Sequence, residues 1–125
     1  MKKRILLLED EIGNQKLLNF ILAGEFNLNI VENGLEAVNW LNNNTHPDLI
    51  IMDWIMPIMD GKSFLTMLKQ TNLCPNIPII VLSSYEYIHS ELASIPFEAN
   101  AKLKKPVNSS VLKTAIADAL LSINS

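Results

Sequence analysis

Asp53 follows Leu49, Ile50, Ile51 and Met52, an uninterrupted apolar run bounded by Pro47 and Pro57. A run of that length reads as a strand buried on both faces, and a carboxylate at its end is costly unless it opens onto a cleft with a partner. The pattern also occurs at the start of the chain, where the apolar run of RILLLE, Arg4 to Glu9, meets Glu9, Asp10 and Glu11. Further on, Ile77 to Leu82 runs into Ser83 and Ser84, and a weaker run from Ala99 to Lys104 meets Lys105 and Pro106. If these runs are parallel strands, their C-terminal ends share one rim, and in open α/β sheets that rim is where ligands bind. Glu9, Asp10 and Asp53 then converge with a single lysine. Two like charges about 4 Å apart cost roughly 4 kcal/mol at an effective dielectric of about 20, so a positive partner is required. A divalent cation answers that need, and a ligand set of hard oxygens without His or thiolate prefers Mg²⁺ to zinc or copper. Mg²⁺ and Lys105 together neutralise the three carboxylates, so a phosphoryl group arriving on Asp53 would find a metal and an ammonium to share its charge. Transfer of phosphate to a carboxylate is the chemistry that fits.

The elements that must position these residues follow from periodicity. Ile12 to Leu22 carries Leu17, Leu18, Ile21 and Leu22 at helical spacing, closed by Gly24. Phe26, Leu28 and Ile30 alternate with Asn27 and Asn29, which predicts a second strand near the sheet edge. Asn33-Gly34 opens a second helix with Leu35, Val38 and Leu41 on one side, ending in Asn42, Asn43 and Asn44. After the central strand, Pro57 and Asp60-Gly61 supply turn chemistry, and Phe64, Leu65 and Leu68 mark a third helix broken at Cys74-Pro75-Asn76. Ile88, Leu92 and Ile95 fit a short fourth helix ended by Pro96. Asn108 or Ser109 caps the last helix, whose Leu112, Ile116, Leu120 and Ile123 form an apolar stripe. Five strands alternating with five helices imply an α/β fold, a doubly wound five-stranded parallel sheet with helices on both faces.

Composition bounds the function. With 125 residues and 49% apolar content, the chain has material for one core, and one domain over residues 1–125 is expected. The net charge of −3, without a basic cluster, gives no source for attraction to nucleic acid or to an anionic membrane. No apolar stretch reaches membrane-spanning length, and the expected location is the cytoplasm. Cys74 has no second cysteine to pair with. Met52, Met56, Met59 and Met67 are expected in packing, Trp40 on a helix surface, Trp54 at the rim of the site, and His46 and His89 in solvent.

With these residues in view, the chain resembles the receiver domains of two-component response regulators along its whole length. ILLLEDE looks like the acidic pair after strand one, and DLIIMDWIMPIMDG like the phosphoacceptor strand and its loop. IIVLSS looks like the hydroxyl-bearing strand, and KKP like the lysine-proline end of strand five. The resemblance implies a flavodoxin-like (βα)5 receiver that takes a phosphoryl group onto Asp53 from a histidine kinase or phosphotransfer protein. Glu9 and Asp10 would hold Mg²⁺ with Asp53, and the backbone carbonyl of Ile55 would complete the protein ligands. Ser83 would bond the phosphoryl group, Lys105 would pair with it, and the Lys105-Pro106 peptide would be cis. Such a domain catalyses its own Mg²⁺-dependent phosphorylation and dephosphorylation without being a turnover enzyme, and passes the signal to a downstream protein.

Three other readings are weaker. A haloacid-dehalogenase-like phosphohydrolase needs a second Asp two positions after the first, where this chain has Ile55. An FMN carrier needs a phosphate-cradling first loop, where this chain has EDEIGN. A degenerate receiver that acts only as an interaction module requires a lost site residue, and none is lost. One departure stands out: Lys102 occupies the place where most receivers carry an aromatic residue. An inward swing of a ring is therefore unavailable, and the response is expected to travel through Ser84 to His89 and the edge of strand five.

Overall fold

A computed structural model describes residues 2–71, 73, 76–83 and 99–122. Five strands and four helices lie among them. In chain order they are β1 (Lys3–Leu8), α1 (Ile12–Leu22), β2 (Phe26–Val31), α2 (Gly34–Asn43), β3 (Leu49–Asp53), α3 (Gly61–Thr71), β4 (Ile79–Ser83), β5 (Ala101–Lys104) and α4 (Ser109–Ser122). The helix expected around Ile88, Leu92 and Ile95, together with Cys74, Ser84 and Ile123, lies outside the described residues.

The sheet is parallel throughout, in the order β2-β1-β3-β4-β5. β3 and β4 are buried at every position, as expected for strands covered on both faces, whereas β2 and β5 are the edges and alternate with solvent. Alternation divides the core in two. Leu6, Leu8, Ile50, Met52, Ile79 and Val81 pack with Ala37 and Leu41 of α2 and Phe64, Leu65 and Leu68 of α3. Ile5, Leu7, Leu49, Ile51, Ile80 and Leu82 pack with Leu18 and Leu22 of α1 and Leu112, Ile116 and Ala119 of α4. These are the two faces of a doubly wound sheet.

Register matters most at the C-terminal ends. Leu8 pairs with Met52, Asp53 with Leu82, and Ser83 with Lys104, so the ends line up across the sheet. Backbone bonding continues one residue further. The Glu9 N–H donates to Val31 O at 2.9 Å, Trp54 N–H to Leu82 O at 2.9 Å, and Lys105 N–H to Ser83 O at 2.8 Å. Glu9, Asp53, Ser83 and Lys105 therefore sit at strand ends tied into the sheet's hydrogen bonding.

Helix ends are fixed by the polar residues flanking them. The Asn33 side chain accepts from Glu36 N at 2.9 Å to cap α2, and Asp60 accepts from Ser63 N at 2.9 Å to cap α3. Asn108 accepts from both Ser110 N and Val111 N to cap α4, which settles the choice between Asn108 and Ser109.

Several expectations are corrected. Trp54 is 3% exposed and belongs to the core instead of the rim. Its ring lies where a Cβ on Gly61 would be, 2.6 Å away, so Gly61 serves close packing as the first residue of α3 and not a left-handed turn. Gly24 likewise has no positive φ, and α1 ends through the Ala23 N–H on Asn19 O. Leu17 and Leu35 face solvent, because the buried stripes pass through Leu18 and Leu22 in α1 and through Gly34, Ala37 and Leu41 in α2. Trp40 is half-buried, with the Arg4 guanidinium 5.5 Å from its ring centre.

The loop from Trp54 to Asp60 contains a strained residue. The Met59 N–H reaches Pro57 O at 2.7 Å around Ile58, whose φ is 66°. A β-branched side chain is disfavoured in that region, and Ile58 is 79% exposed, so packing does not offset the cost. Ile58→Asn is expected to stabilise the fold by about 1 kcal/mol, because Asn tolerates the left-handed region. Thermal unfolding checks this, and a lower midpoint in the variant would contradict it.

Candidate functional site

β1 and β3 are neighbours in the sheet although β2 lies between them in sequence, so the chain reverses its winding direction there. Two outgoing connections part at such a point and leave a crevice. Glu9 and Asp10 enter it from the end of β1, Asp53 from the end of β3, Ser83 from β4, and Lys105 from the residue after β5. An open cleft of about 490 Å³ is lined by Asp10, Glu11, Asn14, Asp53, Ile55, Ser83, Lys105 and Pro106. The residues read from the sequence as one constellation are thus brought together.

Lys105 is the centre of the site's electrostatics. Its Nζ lies 2.9 Å from Glu9 Oε1 and 3.1 Å from Asp53 Oδ2. An ammonium has three donors, and among the described residues two of them are engaged, by Glu9 and Asp53. Glu9 is 1% exposed, and its second oxygen accepts from the Glu11 N–H at 3.2 Å. Burial pushes the Glu9 carboxyl above the ordinary range, and the charge of Asp53 adds to this. The Lys105 hydrogen bond offsets only part of the rise. For Lys105 burial acts downward, but the Glu9 hydrogen bond and the Asp53 charge outweigh it and hold the ammonium above its ordinary value. Lys105 is therefore firmly cationic at neutral pH.

One oxygen from each of Glu9, Asp10 and Asp53 lies within 4.8 Å of the others. Asp10 and Ile55 are exposed at the mouth of the cleft. All these donors are hard oxygens, and among the described residues no His or Cys lines the cleft. This donor set suits Mg²⁺ far better than a soft metal. Ser83 is buried and lines the cleft, and the Lys105-Pro106 peptide is cis.

Glu11, Asn14 and Pro106 line the cleft without having been singled out for it. Glu11 was legible as part of the EDE run, and Asn14 comes into reach because the first turn of α1 begins beside that run. Lys102 is exposed on the edge strand β5. Residues 84–89, through which a response was expected to travel, lie outside the described residues.

Fold and site together define a flavodoxin-like α/β protein with an acidic, lysine-bridged crevice at the β1/β3 switch point. The profile of the family described as response regulator receiver domain matches residues 5–117, and the chain belongs to that family. Its place is in the signal transduction of two-component systems. It is similar to the phosphate regulon transcriptional regulatory protein PhoB of Klebsiella pneumoniae, with 31% identity over 107 residues that make up 85% of this chain and 46% of that protein. The chain spans about half the length of the first curated relatives it matches. Among solved structures it resembles the signal receiver domain of a signal transduction histidine kinase from Syntrophus aciditrophicus, with TM-score 0.83, 31% identity and coverage of 96% of this chain and 91% of that one. It also resembles a CheY-like response regulator receiver domain protein from Methanospirillum hungatei, with TM-score 0.86, 26% identity and coverage of 99% and 98%.

Proposed function

We propose that this chain accepts a phosphoryl group on Asp53 from a histidine kinase or a histidine phosphotransfer protein, with Mg²⁺ as its cofactor. The observation that carries the reading is the shared ammonium. Lys105 bridges Asp53 and Glu9 at the point where Asp10 and Asp53 present oxygens to one cleft. A carboxylate oxygen of Asp53 attacks the phosphorus of a phosphohistidine. The new P–O bond forms as the P–N bond breaks, and the electron pair returns to the imidazole nitrogen, which takes a proton from solvent. Glu9, Asp10, Asp53 and the backbone carbonyl of Ile55 would hold the metal, which when bound would supply positive charge to the phosphoryl oxygens. The third donor of Lys105 and the hydroxyl of Ser83 take up the remaining phosphoryl oxygens. Attack of water on the phosphorus later breaks the P–O bond to Asp53, releases inorganic phosphate and returns Asp53 to its carboxylate.

Residues 1–125 then act as one receiver domain in the cytoplasm. The negative net charge gives the domain no affinity for nucleic acid by itself, so its output runs through a downstream protein. PhoB of Klebsiella pneumoniae is named a transcriptional regulatory protein, and the part of it outside the match is where an output of that kind would reside.

Transfer of labelled phosphate from an autophosphorylated histidine kinase tests the reading, and label that stays on the kinase would overturn it. The metal assignment has its own test. By linkage, Mg²⁺ at 100 times its Kd should stabilise the wild type by about 2.7 kcal/mol, while Asp10→Asn should gain far less at the same concentration. Equal shifts of the thermal midpoint would remove Asp10 from the metal site. Ca²⁺ should substitute poorly, since a small octahedral site that keeps several waters favours the smaller ion.

A further inference from the structure

Ile55 lines the cleft from a loop, whereas Glu9 and Asp53 stand at strand ends, so something must hold that loop in place. Its two ends are joined by the Gly61 N–H on Trp54 O at 2.9 Å, and the Met59 N–H closes a tight turn on Pro57 O. Both contacts are internal to the segment. The anchor from elsewhere is Gly34, the first residue of α2, whose N–H donates to Met59 O at 3.0 Å. Among the described residues, no other backbone hydrogen bond from a distant segment reaches the loop beyond Trp54. The Met59 side chain lies over Gly34. A Cβ there would come within 2.7 Å of Met59 Cγ, 2.9 Å of Sδ and 2.9 Å of the same carbonyl that Gly34 bonds. Contacts under about 3 Å are not tolerated in close-packed interiors, so the loop would have to move. Gly34 has no positive φ, so backbone freedom does not explain the residue.

We propose that Gly34 is a positioning residue for the metal and phosphoryl pocket: its missing side chain lets Met59 dock on α2 and thereby sets the loop that carries the Ile55 carbonyl. The proposal rests on the phosphoacceptor reading. It gives α2, which contributes no side chain to the cleft, a part in the metal affinity of the site.

The test is a Mg²⁺ titration without any phosphodonor, followed by thermal midpoint or calorimetry on the whole chain. Gly34→Ala should fold, since alanine is the better helix former, yet bind Mg²⁺ about tenfold more weakly. Phosphorylation by phosphoramidate should show the same displacement in its Mg²⁺ dependence, with the maximal rate recovered at saturating Mg²⁺. A general loss of structure would lower the maximum instead. Met59→Ala removes two of the three close atoms and leaves the backbone carbonyl, so adding it to Gly34→Ala should recover part of the lost affinity. Gly24→Ala, whose Cβ would meet nothing within 4 Å, should match the wild type. A folded Gly34→Ala with wild-type Mg²⁺ affinity would overturn the proposal. Should Gly34→Ala fail to fold, Met59→Ala takes its place, and an unchanged affinity there would overturn it equally. A wild type whose Mg²⁺ response equals that of Asp10→Asn would instead refute the metal reading itself, and this proposal with it.

Discussion

Asp53→Asn is expected to lose phosphoryl uptake by about 10³-fold or more while keeping the fold, because the amide fills the same space but cannot act as the nucleophile. The position tolerates the change for a structural reason. Asp53 is the last residue of a strand buried at every position, and its backbone is fixed by the pairing with Leu82. The variant loses one of the two carboxylates that Lys105 bridges, but Glu9 still holds the ammonium at 2.9 Å. Circular dichroism should therefore be unchanged. Labelled uptake at the wild-type rate would remove Asp53 from the role of acceptor.

Lys105→Met should affect both stability and chemistry. Methionine keeps the length of the side chain but leaves Glu9 ionised at 1% exposure with no cation beside it. Removing one partner of a buried ion pair costs several kcal/mol, and with Lys105 itself 16% exposed the expected loss is about 2–3 kcal/mol at neutral pH. Phosphoryl uptake should fall by about 10²-fold, the scale of losing one donor aimed at developing charge. The pH dependence gives a distinct signature. Burial already holds the Glu9 carboxyl above its ordinary value, and the variant lacks the Lys105 hydrogen bond that pulls it down. A carboxyl raised in the folded state favours the protonated form, so its contribution is best in acid and is lost as pH rises from the ordinary 4.5 through the folded value. The stability deficit of Lys105→Met should therefore be small in acid and grow across that window. Urea unfolding as a function of pH checks it, and a deficit independent of pH would contradict it. In the wild type, the raised Lys105 contributes stability below its ordinary 10.5 that is lost as pH rises through the folded value.

The site was legible from sequence because its residues are polar groups at the ends of apolar runs, and a parallel sheet brings such ends to one edge. Asp53 after four buried positions, and Lys105 before a proline, could be placed without any contact information. The strand-end register that joins Ser83 to Lys104 then followed from ordinary β pairing. What was not legible depends on contacts between segments. Asn33-Gly34 reads in sequence as the start of a helix, but nothing there shows that Gly34 is a docking point for Met59, which lies 25 positions away. Trp54 borders an exposed loop in sequence, and only the proximity of Gly61 shows that its ring turns into the core. Leu17 and Leu18 are identical in type, and one residue of helical rotation decides which is buried.

Intact-mass measurement of the purified chain incubated with Mg²⁺ and phosphoramidate, whose P–N bond is that of phosphohistidine, tests whether Asp53 is the acceptor. The expected result is a gain of one phosphoryl mass that maps to the peptide containing Asp53 and requires Mg²⁺. The gain should be absent in Asp53→Asn. No gain in the wild type, or a gain that maps to Ser83 or persists in Asp53→Asn, would contradict it.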